Sequence, residues 1–415
     1  MQKTPHSLAI IPVSASRLME RFAYYGMRSI LVIYLSRQLG LSYELSAKIY
    51  SIFTISAALI PVIGGLVGDL LLGSRLSSIT GGFIQALGCF ALAAPNAITM
   101  YLGLFLVAFG SGLYSPNVLS MLASAYRQRP DKQDAAFTIF YICINFGAML
   151  APLIISAIPD NYNYPIAFIF SGIVMLGAPV MLLFSGALLK EVPSRPNIYA
   201  EEKKSSTSST IRILSVFAVF ILMLLFWRIY EMSMSPVYSR ILDAENIFPK
   251  FSYLISFAPA AVIIPLGIFF ILLFSFTYSS PFLKIAIGCI TFLLSCALLT
   301  LSSNMITSNG YLFFVLAGIF VQSLAELLIA PITLSVISRY GSPKFSATLF
   351  GGFMTLSGIA GFASSFLYQF SELVSSLVIL IITACIMVLM AGIFLTFYLV
   401  MKKKEERIFS SGQEL

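Results

Sequence analysis

Arg17, Glu20, Arg21 and Arg28 fall within the run SRLMERFAYYGMRSILVIYL at positions 16–35, whose other members are mostly apolar or aromatic. At 100° per residue, Arg17, Glu20, Arg21, Tyr24, Tyr25 and Arg28 share one helical stripe about 140° wide. Each ionisable residue at a bilayer centre costs roughly 2.5 to 3.5 kcal/mol on insertion scales, so such a stripe must face protein, water or a ligand. It is expected to line a cavity. The competing reading is that Glu20 pairs with Arg17 or Arg21 at helical spacing and staples the helix to its neighbours, while Arg28, nearer the outer end, snorkels to the interface. Two further carboxylates, Glu231 in FWRIYEMSMSP and Glu326 in VQSLAELLIAPITLS, stand in apolar surroundings. A buried, isolated carboxyl can take up and release a proton near neutral pH, which makes both candidate proton sites. The alternatives are a pair between Glu231 and Arg228, and a hydrogen bond to Glu326 from Gln322 one turn earlier.

The elements that carry these residues are set by composition. Of 415 residues, 59% are hydrophobic and 10% charged, too little polar surface for a water-soluble globule of this length. Apolar runs of about 20 residues recur from end to end, the length a helix needs to cross a bilayer. Twelve spans are expected, near 8–36, 44–72, 76–94, 98–125, 134–158, 164–189, 210–239, 251–276, 282–302, 310–338, 346–371 and 374–401. The ten-residue alternation of a barrel is absent, and the first span, with its charges, does not read as a cleavable signal. The basic segments at 127–132, 190–204, 338–344 and 402–407 fall on the side of both termini, which the positive-inside rule makes cytoplasmic. The net charge of +8 is accounted for in this way and not by nucleic acid. The polar, Ser-rich stretch at 190–209 reads as a linker between halves at 1–189 and 210–401, followed by a tail at 402–415. That is the all-α major facilitator arrangement, two six-helix halves joined by a central linker.

Catalytic equipment is lacking. The one histidine is His6, the five cysteines show no metal spacing and read as small core residues, and no nucleophile elbow, zinc motif or phosphate loop is present. Neither an enzyme nor a metal or organic cofactor is expected.

The motifs themselves resemble one family. ERFAYYGMRSILVIYL (20–35) is similar to the first-helix signature of the proton-dependent oligopeptide transporters, a branch of the major facilitator superfamily. GGLVGDLLLGSR (64–75) is similar to the superfamily's loop between helices 2 and 3, with Asp69, Gly73 and Arg75 in place as gating residues. FTIFYICINFGAMLAPLI (137–154) resembles the fifth-helix motif, FWRIYE (226–231) the seventh, and AELLIAPITLSVISRYGSPKFSATLFGGF (325–353) the tenth and eleventh. The resemblance implies that Arg21, Tyr24, Tyr25 and Asn145 contact a peptide, that Trp227 lines its cavity and that Glu326 engages its amino terminus. Glu231, with Glu20, would couple protons.

Several positions depart from the pattern. Arg17 stands where the motif has a second Glu, Ser115 where the fourth helix has a basic residue, Ala58 where the second has Tyr, Ala258 where the eighth has Asn, and Ala330 where the tenth has Ser. Arg17 is expected to restore, from the first helix, the cation missing at Ser115. The linker is too short for the two extra helices of many bacterial members. The expectation is a monomeric, multi-pass transporter in a bacterial inner membrane, taking up di- or tripeptides or peptide-like solutes with protons. A different amphoteric or anionic solute with altered coupling, and a receptor that binds without transporting, are the alternatives.

Overall fold

The computed structural model describes residues 5–200, 208–243, 251–302, 310–371 and 376–410, with side chains described outside 235–257, 361–377 and 405–410. Residues 201–207 of the expected linker and 411–415 of the expected tail lie outside the described residues. The described residues form twelve long helices: α1 Ile10–Arg37, α2 Tyr43–Val67, α3 Ser74–Leu92, α4 Ala97–Ala125, α5 Gln133–Ile155, α6 Tyr164–Phe184, α7 Ser209–Asp243, α8 Phe251–Phe276, α9 Pro281–Ser302, α10 Gly310–Tyr340, α11 Ser346–Ser371 and α12 Ser376–Ser410. The described residues are thus all-α, with twelve long helices and no strand among them. Nine helical segments among the described residues are long and apolar enough to cross a membrane. The segment Ile10–Arg37 is not one of them, because the charges of its inward face interrupt its hydropathy.

Helix starts follow local chemistry. The side chains of Ser42, Asn96 and Asn163 accept hydrogen bonds from the backbone N–H groups of Leu45, Thr99 and Ile166, satisfying donors that the first turns of α2, α4 and α6 leave open. Between α2 and α3 the chain makes a π-helical turn at Gly68–Leu72 and then reverses at Gly73, whose φ of 82° favours glycine.

The chain divides into two packed units. One comprises Met1–Ser208 with Ile337–Ile359, the other Ser209–Val336 with Ala360–Leu415. In the first, α1 packs on α5 and α6, α2 on α4, and α3 on α4 and α6. The α3–α4 crossing is close because glycines face backbone: a Cβ on Gly81 would lie 2.7 Å from the Gly110 carbonyl oxygen, and one on Gly88 2.8 Å from that of Gly103. Where lipid removes the hydrophobic drive between helices, small residues of this kind gain association through close contact. The core of this unit runs from Phe22, Tyr34 and Phe53 to Phe168 and Met175. In the second unit, α9 packs on α12, with Phe282 against Phe394, and a smaller cluster joins Met234, Leu299, Val315 and Ile319.

Candidate functional site

The inward stripe of α1 forms a buried ion cluster. Glu20 is fully buried, Arg17 4% exposed and Arg21 9% exposed. Arg21 grips the carboxylate with both arms, Nε to Oε2 at 2.6 Å and Nη2 to Oε1 at 2.5 Å, and Arg17 Nη1 donates to Oε2 at 3.0 Å. A fork of two parallel charge-assisted bonds is the strongest contact an arginine makes with a carboxylate. Two guanidiniums thus share one carboxylate, and the cluster retains one positive charge away from water.

Helix α4 supplies the remaining polar wall. Arg17 Nη1 also donates to Ser115 Oγ at 2.9 Å, and Arg21 Nη2 reaches Ser111 Oγ at 3.4 Å. One turn onward along the same stripe, the Arg21 guanidinium lies 4.5 Å from the Tyr24 ring centre and 5.5 Å from that of Tyr25. Arg28 is held by Tyr50 of α2, whose hydroxyl accepts from Nη2 at 2.6 Å, and sits over the Tyr24 and Tyr25 rings. Arg28 is therefore packed within the unit, and snorkelling does not describe it. Asn145 on α5 is half-buried and returns its Nδ2 to the Tyr141 carbonyl at 3.0 Å, one turn back on its own helix.

Ala58, where the second-helix tyrosine is missing, packs closely against α11. A Cβ on Gly358 of α11 would lie 2.4 Å from the Ala58 Cβ, and Thr355 Oγ1 donates to the Ala58 carbonyl at 2.8 Å.

A second polar node surrounds Asp69, which is fully buried. Its Oδ2 accepts from the Thr348 backbone N–H and hydroxyl, both at 2.7 Å, and its Oδ1 from the Ala347 N–H at 3.1 Å. The carboxylate thereby caps the first turn of α11, where open N–H groups and the helix dipole favour an anion. Close backbone approach permits this: a Cβ on Gly65 would lie 2.5 Å from the Ala347 carbonyl oxygen, and one on Gly351 2.3 Å from that of Pro61. Asn197 of the linker completes the node, its Nδ2 lying 2.7 Å from Asp69 Oδ1 and 2.9 Å from both Ser74 Oγ and Ser120 Oγ. Beside it, Asp134 in the first turn of α5 pairs with Arg339 at the end of α10 at 2.5 Å. Gly73 forms the reversal already described, and a Cβ on Gly186 would lie 3.4 Å from Arg75 Nη2.

Sequence reasoning passed over Asn197, Asp134 and Arg339. Asp134 and Arg339 were visible only as a first-turn acid and a last-turn base. Asn197 carried a weak signal as a lone amide directly after Pro196 in a polar segment.

In the second unit, Glu326 of α10 is 3% exposed. The Gln322 amide forms no hydrogen bond, so it is not the partner of Glu326 expected one turn earlier. Trp227 is half-buried on α7 and packs against Tyr230 with ring centres 5.4 Å apart. Glu231 corrects an expectation: it is exposed, not a buried isolated carboxyl, and Arg228 lies within its electrostatic reach. The periodicity of α7 assigns Glu231 to a face but does not say whether another helix covers that face.

Comparison with known proteins follows the same lines. The sequence profile described as Major Facilitator Superfamily matches residues 13–365. The chain is 36% identical over 167 residues to a di-/tripeptide transporter of Lactococcus lactis subsp. lactis, a match covering 38% of this chain and 34% of the relative. It is 30% identical over 224 residues to dipeptide and tripeptide permease A of Citrobacter koseri, covering 53% of this chain and 44% of that protein. These matches therefore span less than half the length of the relatives. Among solved structures, a POT family transporter in complex with a thioalcohol-conjugated peptide superposes with a TM-score of 0.67 at 20% identity, over 94% of this chain and 95% of the other.

Proposed function

The chain belongs to the Major Facilitator Superfamily, and from that membership we propose that it is a peptide transporter of the POT type, taking up di- or tripeptides or peptide-like solutes with protons. The observation that carries this reading is the residual positive charge of the Arg17–Glu20–Arg21 cluster beside Tyr24 and Tyr25. A buried cation in excess of its counter-charge favours an anionic group, and a planar guanidinium suits a carboxylate. In this reading Arg21, assisted by Arg17 against Ser115, takes the peptide carboxylate. Tyr24, Tyr25, Asn145 and Trp227 contact its body, and Glu326 takes its amino group. Glu20 and Glu231 carry the protons. Asp69, Gly73 and Arg75 act in gating, with the α11 cap broken and remade as the transporter changes state.

The halves at 1–189 and 210–401 are proposed as the alternating bundles, in a monomer of a bacterial cytoplasmic membrane with both ends of the chain inside. The similarity of the Lactococcus and Citrobacter relatives, named as di- and tripeptide transporters, supports the substrate class. The test is binding by the purified protein of alanyl-alanine, its carboxyl-amidated form and its N-acetylated form. Both blocked forms are expected to bind at least about tenfold more weakly. Undiminished binding of the amidated form would contradict the reading. Binding of the acetylated form as tight as that of the free dipeptide would point instead to an anionic solute.

A further inference from the structure

The loop after α4 and the linker enclose an open pocket of about 570 Å³, lined by Arg127, Gln128, Ser194, Arg195, Asn197 and Tyr199, with Pro193, Pro196 and Ala200 completing the wall. It lies apart from the α1 cluster, and its lining contains two guanidiniums and no carboxylate. Among the described residues, the carboxylates of the surrounding loops are engaged elsewhere. Glu191 is held by both arms of Arg129, at 2.8 and 2.7 Å, and by the Ser7 hydroxyl. Asp134 pairs with Arg339, Asp69 with Asn197 and the α11 amides, and Asp131 lies 3.9 Å from Lys132 Nζ. Among the described residues, neither Arg127 nor Arg195 forms an ion pair.

We propose that this pocket binds a phosphate-bearing anion, bridged by Arg127 from the α4–α5 loop and Arg195 from the linker. Two cations that line one pocket from separate segments can hold an anion between them, and guanidiniums match phosphate oxygens in bidentate geometry. Gln128, Ser194 and Tyr199 add neutral donors at the same opening. Volumes of this size suit a headgroup or a small organic phosphate. Basic pockets at helix ends recognise lipid headgroups by the same chemistry. Because Arg195 precedes Asn197 by two residues, a bound anion also holds down the strap whose Asn197 amide touches Asp69.

The test uses the full-length protein in two media. In a neutral detergent, inorganic phosphate is titrated against sodium chloride of matched ionic strength, and the thermal unfolding midpoint is followed. In nanodiscs, pure phosphatidylcholine is compared with a mixture of one part phosphatidylglycerol to three of phosphatidylcholine. The midpoint is expected to rise with phosphate, with phosphatidylglycerol or with both. The apparent affinity is expected to fall about tenfold or more in R127Q/R195Q, and less in the charge-retaining R127K/R195K. A rise in detergent identifies a soluble phosphate compound, and a rise confined to the phosphatidylglycerol discs identifies a lipid headgroup. The proposal is overturned by equal rises in wild type and R127Q/R195Q, or by none in either medium. A K48Q variant, which removes one exposed charge outside the pocket, should respond as wild type does.

Discussion

The Arg17 guanidinium donates a 2.9 Å hydrogen bond to Ser115 Oγ, so a cation rooted on α1 sits against the α4 position that carries none. In the proposed reading, the first-helix exchange of an acid for Arg17 and the fourth-helix Ser115 are two sides of one rearrangement. If the charge matters and not its root, R17Q should weaken binding of a free dipeptide about tenfold or more, and R17Q/S115K should recover most of it. Calorimetric titration of both variants with alanyl-alanine checks this. Equal losses in the two would show that the guanidinium acts from α1 alone.

Glu20 holds two buried cations together. E20Q leaves both guanidiniums with a neutral partner, and breaking a buried ion cluster from one side costs about 3 to 5 kcal/mol. The thermal midpoint of E20Q should fall well below that of wild type, and E20Q/R17Q, which removes one cation as well, should recover part of the loss. A midpoint of E20Q equal to that of wild type would mean that the cluster is solvated and not buried.

How much of this was legible in the sequence differs by residue. The α1 stripe was legible because 3.6-residue periodicity assigns Arg17, Glu20 and Arg21 to one face regardless of what packs there. The twelve helices were legible because bilayer thickness fixes their length. Glu231 was not, since its exposure depends on which helices cover α7. Asn197 was not either: its three oxygen partners come from Asp69, Ser74 and Ser120, and no local pattern in a polar linker encodes contacts that distant. The loss of tyrosine at Ala58 was visible, but the close approach of Gly358 to Ala58 belongs to packing alone.

The Asn197 amide should be sensitive to charge. N197A removes bonds to Asp69 and two serines, a loss of about 1 to 3 kcal/mol, whereas N197D sets a second carboxylate beside Asp69 and should cost more. Limited chymotrypsin digestion after the exposed Tyr199 should follow the order wild type, N197A, N197D in rising cleavage rate. Identical rates would show that the linker is held by other contacts.

Acid should loosen the N-terminal residues around His6 and the linker at Glu191. Glu191 is held below the usual carboxylate range by its hydrogen bonds from Arg129 and Ser7. His6, bonded through Nδ1 to the Tyr126 hydroxyl at 2.9 Å, is kept below its ordinary value of 6.5 by burial and by the Lys132 and Arg129 charges, against an opposing pull from Asp131. Both folded groups bind fewer protons than their unfolded counterparts, so their stabilisation is present at neutral pH. The His6 part is lost as pH falls below about 6.5, and the Glu191 part as pH falls through its lowered folded value. The protection factors of residues 6–9 should fall from pH 7 to pH 5, their exchange slowing less than the intrinsic rate does, and H6F should flatten the upper part of that response.

The central claim is that the chain moves peptides with protons around its α1 cation cluster, and uptake of labelled alanyl-alanine into proteoliposomes under an imposed acid-outside gradient measures it directly. Accumulation above the external concentration, collapsed by a protonophore and lost in R21Q, is the predicted result. Binding of the dipeptide with no gradient-dependent accumulation, or accumulation that R21Q leaves intact, would contradict it.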